Sequence, residues 1–154
     1  MVKAYTLILV HTPAGYLLIN RQKPPYRGLW NALGGKIEVG ETPLVGANRE
    51  LLEETGLHDV TLRADGLVHW HVDGSLRGDL YLFSGDVADT DTWPQATREG
   101  VLALQSENWL LAADNLGIVP DLQALVPFWL RHERHTYRSD FQGEHFESLV
   151  IVDD

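Results

Sequence analysis

Three glutamates lie close together in one short segment of this chain: Glu50, Glu53 and Glu54. In a helix, residues three and four positions apart share one face, and each like-charge pair at that spacing costs about 0.2–0.5 kcal/mol. The repulsion is relieved either by proton uptake with a raised pKa or by a hard divalent cation bound to carboxylate oxygens. Mg²⁺ commonly takes a few carboxylates, waters and substrate phosphate oxygens. The spacing therefore fits the protein ligands of a magnesium site that water and substrate would complete. It equally fits a solvated acidic helix face.

The segment around these glutamates carries the signals of a helix between residues 42 and 56. Thr42 is a good N-cap, Pro43 suits the first helical position, and Gly56 suits the left-handed position past the last turn. At about 100° per residue, four apolar residues fall on one arc: Leu44, Val45, Leu51 and Leu52. We expect that arc to pack on the core and the three carboxylates to lie on nearly the opposite arc.

A glycine-rich loop precedes this helix. Gly34 and Gly35 let the backbone approach a ligand or adopt a positive φ, and Gly40 closes the loop. Glu41 stands just ahead of the N-cap, where the positive end of the helix dipole favours a carboxylate. A loop of this kind before an acidic helix favours a ligand site over a solvated face.

The loop and the helix together form one pattern over residues 35–57. Its specified positions are Gly35, Glu41, Arg49, Glu50, Leu51, Glu53, Glu54, Gly56 and Leu57. The pattern is similar to the Nudix box, and it is complete. The resemblance implies an α/β/α sandwich with a loop–helix–loop catalytic element. It also implies hydrolysis, dependent on Mg²⁺ or Mn²⁺, of a nucleoside diphosphate linked to another moiety.

The resemblance assigns roles to individual residues of the box. The implied metal ligands are the carboxylates of Glu50, Glu53 and Glu54, with the carbonyl of Gly35 as a further candidate. Arg49 would orient the glutamates through charge-assisted hydrogen bonds. Glu41 would hold the loop and the helix together.

A hydrolytic site of this type also needs a carboxylate base for the attacking water. Positioning and charge neutralisation supply most of the rate in phosphoryl transfer, and a metal ion activates the water. Glu50 is our first candidate for the base. In the family the base sometimes lies on a loop beyond the helix, and Glu99 stands where such a carboxylate is often found. The alternative for Glu99 is an ordinary exposed loop residue.

Residues beside the box bear on the substrate. Residues 30–36, which include Asn31, Gly34 and Lys36, resemble the same stretch in oxidised-purine nucleoside triphosphatases of the MutT type. There the asparagine next to the tryptophan reads the purine edge. An asparagine side chain carries both a donor and an acceptor, so it can pair with a purine. Asn31 is alternatively a turn residue before the glycine loop.

A second stretch, residues 119–122, resembles the segment that holds the base in the mammalian members of that group. Asp121 would correspond to one base-binding aspartate. Val119 and Leu122 depart from the pattern, since a tryptophan and a second aspartate are expected there. Asp121 is alternatively the N-cap of a following helix.

Three cations precede the box: Arg21, Lys23 and Arg27. Guanidinium and ammonium groups are the usual protein partners of phosphate, so Arg21 and Lys23 are candidates for binding the substrate phosphates. The alternative is a solvated loop, which suits Arg27 better than Arg21.

The composition narrows the class of protein. The chain has 154 residues with 12 basic and 22 acidic side chains, a net charge of −10, and it contains no cysteine. A surface this negative disfavours nucleic acid polymers as partners, and the missing thiols exclude disulfides and thiolate metal sites. The apolar run at residues 4–10 is too short to cross a bilayer. We expect a cytoplasmic protein without a membrane partner, either a monomer or a homodimer.

The coarse pattern predicts the α+β class, with a mixed central sheet, a body rich in β-hairpins and helices on the sheet. Strands are predicted at residues 4–10, 16–21, 60–62, 66–72, 80–87, 137–141 and 146–152. Further helices are predicted at 107–113 and 121–132, a loop at 23–28 and a turn at 89–94. No repeat or linker interrupts the pattern, so we predict one Nudix-type domain over residues 1–154.

The sequence therefore predicts a metal-dependent enzyme that hydrolyses a purine nucleoside triphosphate to the monophosphate and pyrophosphate. The base could be an oxidised one, as in 8-oxo-dGTP, in which case the reaction would cleanse the nucleotide pool. One alternative is a Nudix hydrolase of a nucleotide sugar, ADP-ribose or a dinucleoside polyphosphate. Another is a domain that binds a nucleotide as a sensor without turning it over.

Overall fold

The computed structural model describes residues 2–24, 26–88 and 92–153. Residue 25 of the predicted loop, residues 89–91 of the predicted turn and the two end residues of the predicted domain lie outside the described residues.

Helices separate three groups of strands along the described chain. In chain order they are β1 (Lys3–Thr12), β2 (Gly15–Arg21), β3 (Trp30–Asn31), α1 (Pro43–Thr55), β4 (Arg63–Val72), β5 (Ser75–Asp86), β6 (Gln95–Ala96), β7 (Gly100–Gln105), α2 (Glu107–Leu111), α3 (Pro120–Leu130), β8 (His135–Gln142) and β9 (His145–Ile151). No helix in these described ranges is long and apolar enough to cross a membrane.

All nine described strands join one sheet, in the order β6-β7-β2-β1-β5-β4-β8-β9, with β3 paired to β2. The pairs β1–β5 and β4–β8 are parallel, and the other pairs are antiparallel. Consecutive strands form the hairpins β1–β2, β4–β5 and β8–β9. The predicted mixed sheet with a hairpin-rich body is therefore confirmed.

Helices cover both faces of this sheet. Alternate residues along a strand point to opposite faces, so each strand feeds two separate apolar clusters. On the α1 face, Ile8 and Phe83 of the sheet pack with Leu51 of the helix. On the α3 face, Leu9 and Leu82 pack with Trp129 and its helical neighbours. The arrangement is an α/β/α sandwich, as predicted.

Helix α1 begins and ends where the capping signals predict. The Thr42 hydroxyl accepts a hydrogen bond from the Val45 amide at 3.2 Å, and Pro43 is the first helical residue. Gly56 adopts a left-handed φ of 76°, and its amide donates to the Leu52 carbonyl at 2.9 Å. These bounds place the three glutamates in the last two turns of the helix.

The predicted orientation of α1 is wrong. Leu44, Val45 and Leu52 are about half exposed (45%, 53% and 51%), whereas Leu51 is 1% exposed. The buried face of the helix consists of Gly46, Ala47 and Leu51. Small residues on this face let α1 come close to the preceding loop, and the side of the helix that carries Glu50 and Glu54 turns inward with it.

The predicted strand at residues 60–62 is also wrong. These residues have no strand structure, and Val60 and Leu62 instead pack on the apolar cluster of the α1 face. The nearest strand is β5, where Val60 and Leu62 lie against Gly85. The ladder between β4 and β5 begins only at the pair of Arg63 with Ser84, so residues 60–62 precede it.

Three strands are missing from the prediction: β3, β6 and β7. Strand β7 is the longest of them, and it pairs with β2 over six residues, from Tyr16 with Gln105 to Arg21 with Gly100. The predicted helix at 107–113 ends earlier, at Leu111, because Ala112 is already extended (ψ 123°). The helix predicted at 121–132 instead spans Pro120–Leu130.

We predict that Leu51→Ala lowers the free energy of unfolding by about 2–5 kcal/mol, because it opens a cavity in a close-packed core. Leu44→Ala is the matched control, and we expect it to cost less than about 1 kcal/mol, since Leu44 is half exposed. Denaturant unfolding of both variants measures the difference. Equal losses would contradict the observed orientation of α1.

Candidate active site

A single guanidinium joins the glycine loop to helix α1. Arg49 donates from Nε to Glu41 Oε2 at 2.7 Å and from Nη2 to Glu41 Oε1 at 2.9 Å, which is a bidentate ion pair. This pairing lowers the pKa of Glu41 to about 2. The same Nη2 also donates to the Lys36 carbonyl at 3.0 Å. The loop is therefore fixed on the helix by side-chain and backbone contacts together.

Arg49 also holds two glutamates of the acidic face. Its Nη1 donates to Glu50 Oε1 at 3.1 Å and to Glu53 Oε2 at 3.2 Å. The charge-assisted hydrogen bonds fix the direction of both carboxylates. One positive charge faces several negative ones here, since Glu38 is also within 3.8 Å and Glu41 is paired with the same group.

Glu54 lies deepest of the three glutamates. Its Oε1 accepts a hydrogen bond from the Gly34 amide at 2.9 Å. Burial raises the pKa of Glu54 to about 8, and the neighbouring charges of Glu50 and Glu99 contribute to the same rise. A buried carboxyl beside other carboxyls is stabilised either by a proton or by a cation, which is the choice inferred from the spacing alone.

At both glycines of the loop, a Cβ would meet neighbouring atoms. Gly34 has a φ of 129°, and a Cβ built there would lie 2.0 Å from the Thr6 carbonyl oxygen. A Cβ on Gly35 would lie 2.6 Å from the carboxyl carbon of Glu50. The carboxylate of Glu50 therefore rests against backbone at Gly35. The Gly35 carbonyl oxygen already accepts from the Thr6 amide at 2.8 Å, so a metal ion would have to share it.

A cleft of about 800 Å³ opens beside these carboxylates. One wall is the end of α1 with Glu50, Glu53 and Glu54, and the other is the turn between β6 and β7. Glu99 lines the cleft from this turn, and it forms an ion pair with Lys23 at 3.7 Å. The cleft is open and mainly acidic, as a binding site for divalent cations requires.

The donor set fits Mg²⁺ or Mn²⁺, because carboxylate and carbonyl oxygens are the ligands that such hard cations prefer. Within residues 2–24, 26–88 and 92–153, no group of three acidic, histidine or cysteine side chains is arranged as a ready-made metal cage. The glutamates are instead held by Arg49 and Gly34. Binding of a cation would exchange some of these contacts for metal–oxygen bonds.

A second, mainly apolar cavity of about 270 Å³ lies next to the cleft. Its walls include Trp70, Leu80 and Leu125 from the α3 face of the sheet, together with Tyr26 from the loop after β2. Four residues line both spaces: Arg21, Ala32, Gly34 and Gly35. A ligand with an apolar end and a phosphate end can therefore occupy both spaces at once.

Asn31 and Asp121 are among the polar side chains that line this apolar cavity. The Asn31 Oδ1 accepts from the Ala32 amide at 2.8 Å, which fixes the amide plane of the side chain. The Asp121 Oδ1 accepts from the Leu122 amide at 3.0 Å, and burial raises the pKa of this carboxyl to about 6. The alternative that Asp121 is an N-cap is wrong, because Val119 holds that position and Asp121 lies in the first turn of α3.

The structure separates the predicted site residues into three groups. The cleft contains Gly34, Gly35, Glu50, Glu53, Glu54, Glu99 and Arg21, and Arg49 holds its glutamates. The apolar cavity contains Asn31, Asp121, Gly34 and Arg21. Lys23 and Lys36 line neither space: Lys23 faces Glu99, and Lys36 contributes its carbonyl to Arg49.

Sequence reasoning missed several residues that line these spaces, among them Thr6, Tyr26 and Arg98. Thr6 was detectable as a polar residue at an inward position of an apolar strand, where it is 1% exposed. Tyr26 and Arg98 stand in loops without a periodic pattern, so no signal in the chain marks them.

Comparisons with known proteins agree with this architecture. The chain is 42% identical over 85 residues to the oxidized purine nucleoside triphosphate hydrolase of Mus musculus, and 39% identical over 85 residues to that of Danio rerio. Each match covers 54% of this chain and 54% of the relative. The chain thus spans about half the length of the curated relatives it matches.

Solved structures share the fold over a longer range. The MutT protein of Bacillus halodurans superposes with a TM-score of 0.79, covering 97% of both chains at 21% identity. The MutT protein of Methanosarcina mazei Go1 superposes with a TM-score of 0.65, covering 84% of this chain and 94% of that one at 18% identity. At these identities the likeness concerns the fold alone.

The model of the NUDIX domain family matches residues 2–127, which is most of the chain. The matched range includes both walls of the cleft, Asn31 and Asp121. With the fold, the complete box and this match in agreement, the chain belongs to the Nudix family.

Proposed function

We propose that this chain hydrolyses purine nucleoside triphosphates, oxidised ones included, to the nucleoside monophosphate and pyrophosphate. The observation that carries the proposal is the shared wall between an apolar cavity that contains Asn31 and Asp121 and a cleft lined by carboxylates. A purine fits the first space and a triphosphate the second. The names of the mouse and zebrafish relatives support the same substrate class.

In this proposal Glu50, Glu53 and Glu54, with the carbonyl of Gly35, hold Mg²⁺ or Mn²⁺. When bound, the cation neutralises phosphate charge and lowers the pKa of a water molecule. Arg49 keeps Glu50 and Glu53 directed into the cleft.

The chemical step is attack of water on the β-phosphorus. The water oxygen bonds to the β-phosphorus, and the bond between this phosphorus and the oxygen that bridges the α- and β-phosphates breaks. That oxygen stays with the monophosphate, and the β- and γ-phosphates leave as pyrophosphate. Glu50 takes the proton of the water, and Glu99 on the opposite wall is the second candidate for this role. Arg21 lies between the two spaces and contacts the phosphate nearest the sugar, which places the reacting bond beside the acidic wall.

Base selection in this proposal depends on Asn31 and Asp121. The Asn31 Oδ1 is occupied by a backbone amide, so its Nδ2 donates to an acceptor on the purine edge. Asp121 offers an acceptor when ionised and a donor when protonated. Tyr26 and Trp70 supply flat apolar surface for the ring.

The proposal extends to the whole domain. We propose that it works in the cytoplasm on free nucleotides, as a monomer or a homodimer, and that residues 1–154 act as one Nudix domain. Lys23 and Lys36 remain candidate phosphate ligands, since each stands within two residues of one that lines the cleft.

Product analysis with Mg²⁺ tests this function across 8-oxo-dGTP, dGTP, dATP, ADP-ribose and a diadenosine polyphosphate. We expect monophosphate and pyrophosphate from the purine triphosphates. Faster turnover of ADP-ribose or of the dinucleotide would contradict the assignment of the apolar cavity to a purine triphosphate, but it would agree with the proposed metal site. Nucleotide binding without turnover of any substrate would indicate a sensor domain.

The variant Glu53→Gln tests the metal assignment. We expect it to lower turnover by several orders of magnitude while leaving the unfolding transition unchanged. Glu53 is largely exposed, so the fold does not depend on its charge. Glu147→Gln on strand β9 is the matched variant outside the cleft, and it should retain full activity. A fully active Glu53→Gln enzyme would contradict the metal assignment.

We predict that Asn31→Ala reduces discrimination among bases more than it reduces turnover of the preferred triphosphate. The variant loses a donor to the base and leaves the carboxylate cleft intact. The measurement is kcat/KM for 8-oxo-dGTP, dGTP and dATP in both proteins. An equal loss for all three would argue against base reading by Asn31.

We predict that Asp121→Asn stabilises the fold above pH 6 and has little effect near pH 4. The pKa of Asp121 is about 6 in the folded chain, above its value in the unfolded chain. Ionisation of Asp121 therefore lowers the stability as the pH rises from the unfolded pKa to the folded pKa. We expect a gain of about 1–2 kcal/mol at pH 8, allowing for screening by water in the cavity. Denaturant unfolding at pH 4 and pH 8 measures it, with Glu107→Gln at the exposed start of α2 as control. The same gain at both pH values would show that ionisation of the buried carboxyl is not its cause.

A further inference from the structure

The acidic cleft has two cations on its walls among the described residues, Arg21 and Arg98. Arg21 also lines the apolar cavity, whereas Arg98 lines the cleft alone. Four carboxylates surround the same space: Glu50, Glu53, Glu54 and Glu99. A phosphate chain that enters this cleft meets mostly negative charge, so each cation on its wall matters for binding.

Arg98 forms no ion pair or hydrogen bond with the described part of the chain. The other cations near the acidic wall differ, since Arg49 is held by Glu41 and Lys23 by Glu99. The guanidinium of Arg98 therefore keeps its five donors available. The charge of the cleft attracts it from a distance, but no single carboxylate in the described residues holds it.

The position of Arg98 is set by a tight turn. The Thr97 amide donates to the Gly100 carbonyl at 2.8 Å, and the Thr97 hydroxyl donates to the same carbonyl at 2.9 Å. The Glu99 amide donates to the Thr97 hydroxyl at 3.2 Å. Residues 98 and 99 are thus the two central residues of a turn that is closed on both sides.

This turn is itself anchored to the sheet. The Gln22 amide donates to the Glu99 carbonyl at 3.0 Å, and Ala96 pairs with Val101 across β6 and β7. Gly100 has a φ of 149°, and a Cβ there would lie 1.9 Å from the Asn20 carbonyl oxygen, so the turn lies tightly on β2. Arg98 therefore extends from a fixed backbone on the wall opposite α1.

We propose that Arg98 binds the two terminal phosphates of the substrate and the pyrophosphate product. This inference rests on the proposed function. With the base in the apolar cavity and Arg21 beside the first phosphate, the remaining phosphates extend into the part of the cleft that Arg98 lines and the cavity does not reach. A guanidinium pairs with two phosphate oxygens at once, and it neutralises the charge that the reaction leaves on the transferred group.

The test is pyrophosphate binding by titration calorimetry, with Mg²⁺ and in EDTA, for the unchanged protein, Arg98→Gln and Arg98→Lys. We expect Arg98→Gln to weaken pyrophosphate binding about ten- to a hundredfold, the loss typical of charge-assisted hydrogen bonds, and Arg98→Lys to weaken it less. The KM for the triphosphate should rise in parallel. Binding of the nucleoside monophosphate should stay unchanged, because that product lies beside Arg21.

Arg77→Gln is the matched control, since Arg77 is an exposed arginine on β5 that lies outside both spaces and has no ion pair within the described ranges. The proposal is overturned if Arg98→Gln affects pyrophosphate no more than Arg77→Gln does, if it weakens the monophosphate equally, or if the unchanged protein binds no pyrophosphate. Calorimetry needs no turnover. A protein that binds pyrophosphate through Arg98 but hydrolyses no triphosphate therefore contradicts only the proposed function.

Discussion

The contact of Arg49 with the loop and with the acidic face organises the candidate site. Its guanidinium joins Glu41, the Lys36 carbonyl, Glu50 and Glu53, all within 3.2 Å. One positive charge is too little to neutralise this many carboxylates, so the contact fixes their geometry and leaves a net negative charge. A rigid and undercompensated arrangement of oxygens binds a divalent cation better than a flexible or a neutral one.

Small residues make this arrangement possible. Gly34 and Gly35 let the loop contact β1 and the Glu50 carboxylate without a Cβ in between. Gly46 and Ala47 bring the helix close to the same loop, and a Cβ on Gly46 would lie 3.3 Å from both Glu41 and Ile37. Larger side chains at these positions would separate the loop from the helix and pull Arg49 away from half of its partners.

Local signals sufficed for the ends of α1, because capping depends on a few residues in sequence: Thr42, Pro43 and Gly56. The spacing of the box likewise predicted that the glutamates, Arg49 and the glycine loop lie close together. The prediction of which face of α1 is buried was wrong, because amphipathic patterns assume that the apolar arc is buried. In α1 the acidic face turns inward, and Leu44 and Leu52 remain half exposed. Such conflicts between pattern and packing are typical of functional sites.

Other features depend on partners that are distant in the chain. Residues 60–62 have strand-like composition, yet the ladder between β4 and β5 begins only at Arg63, and composition alone could not show where it begins. Strand β7 gains its place by pairing with β2, about eighty residues earlier in the chain. Aspartate is a common N-cap residue, so the sequence at Asp121 suggests a helix cap. Only the packing of α3 on the sheet places Asp121 beside a cavity.

The two spaces of the site share four lining residues and draw the others from different parts of the sandwich. The cleft has the carboxylates of α1 and of the β6–β7 turn, whereas the apolar cavity is lined mainly by β1, β4 and α3. Substitutions at Val119, Asp121 or Leu122 change the shape and polarity of the apolar cavity without contacting a carboxylate of the cleft. Such an arrangement lets gene duplicates diverge in the ligands they accept while the acidic cleft is inherited unchanged.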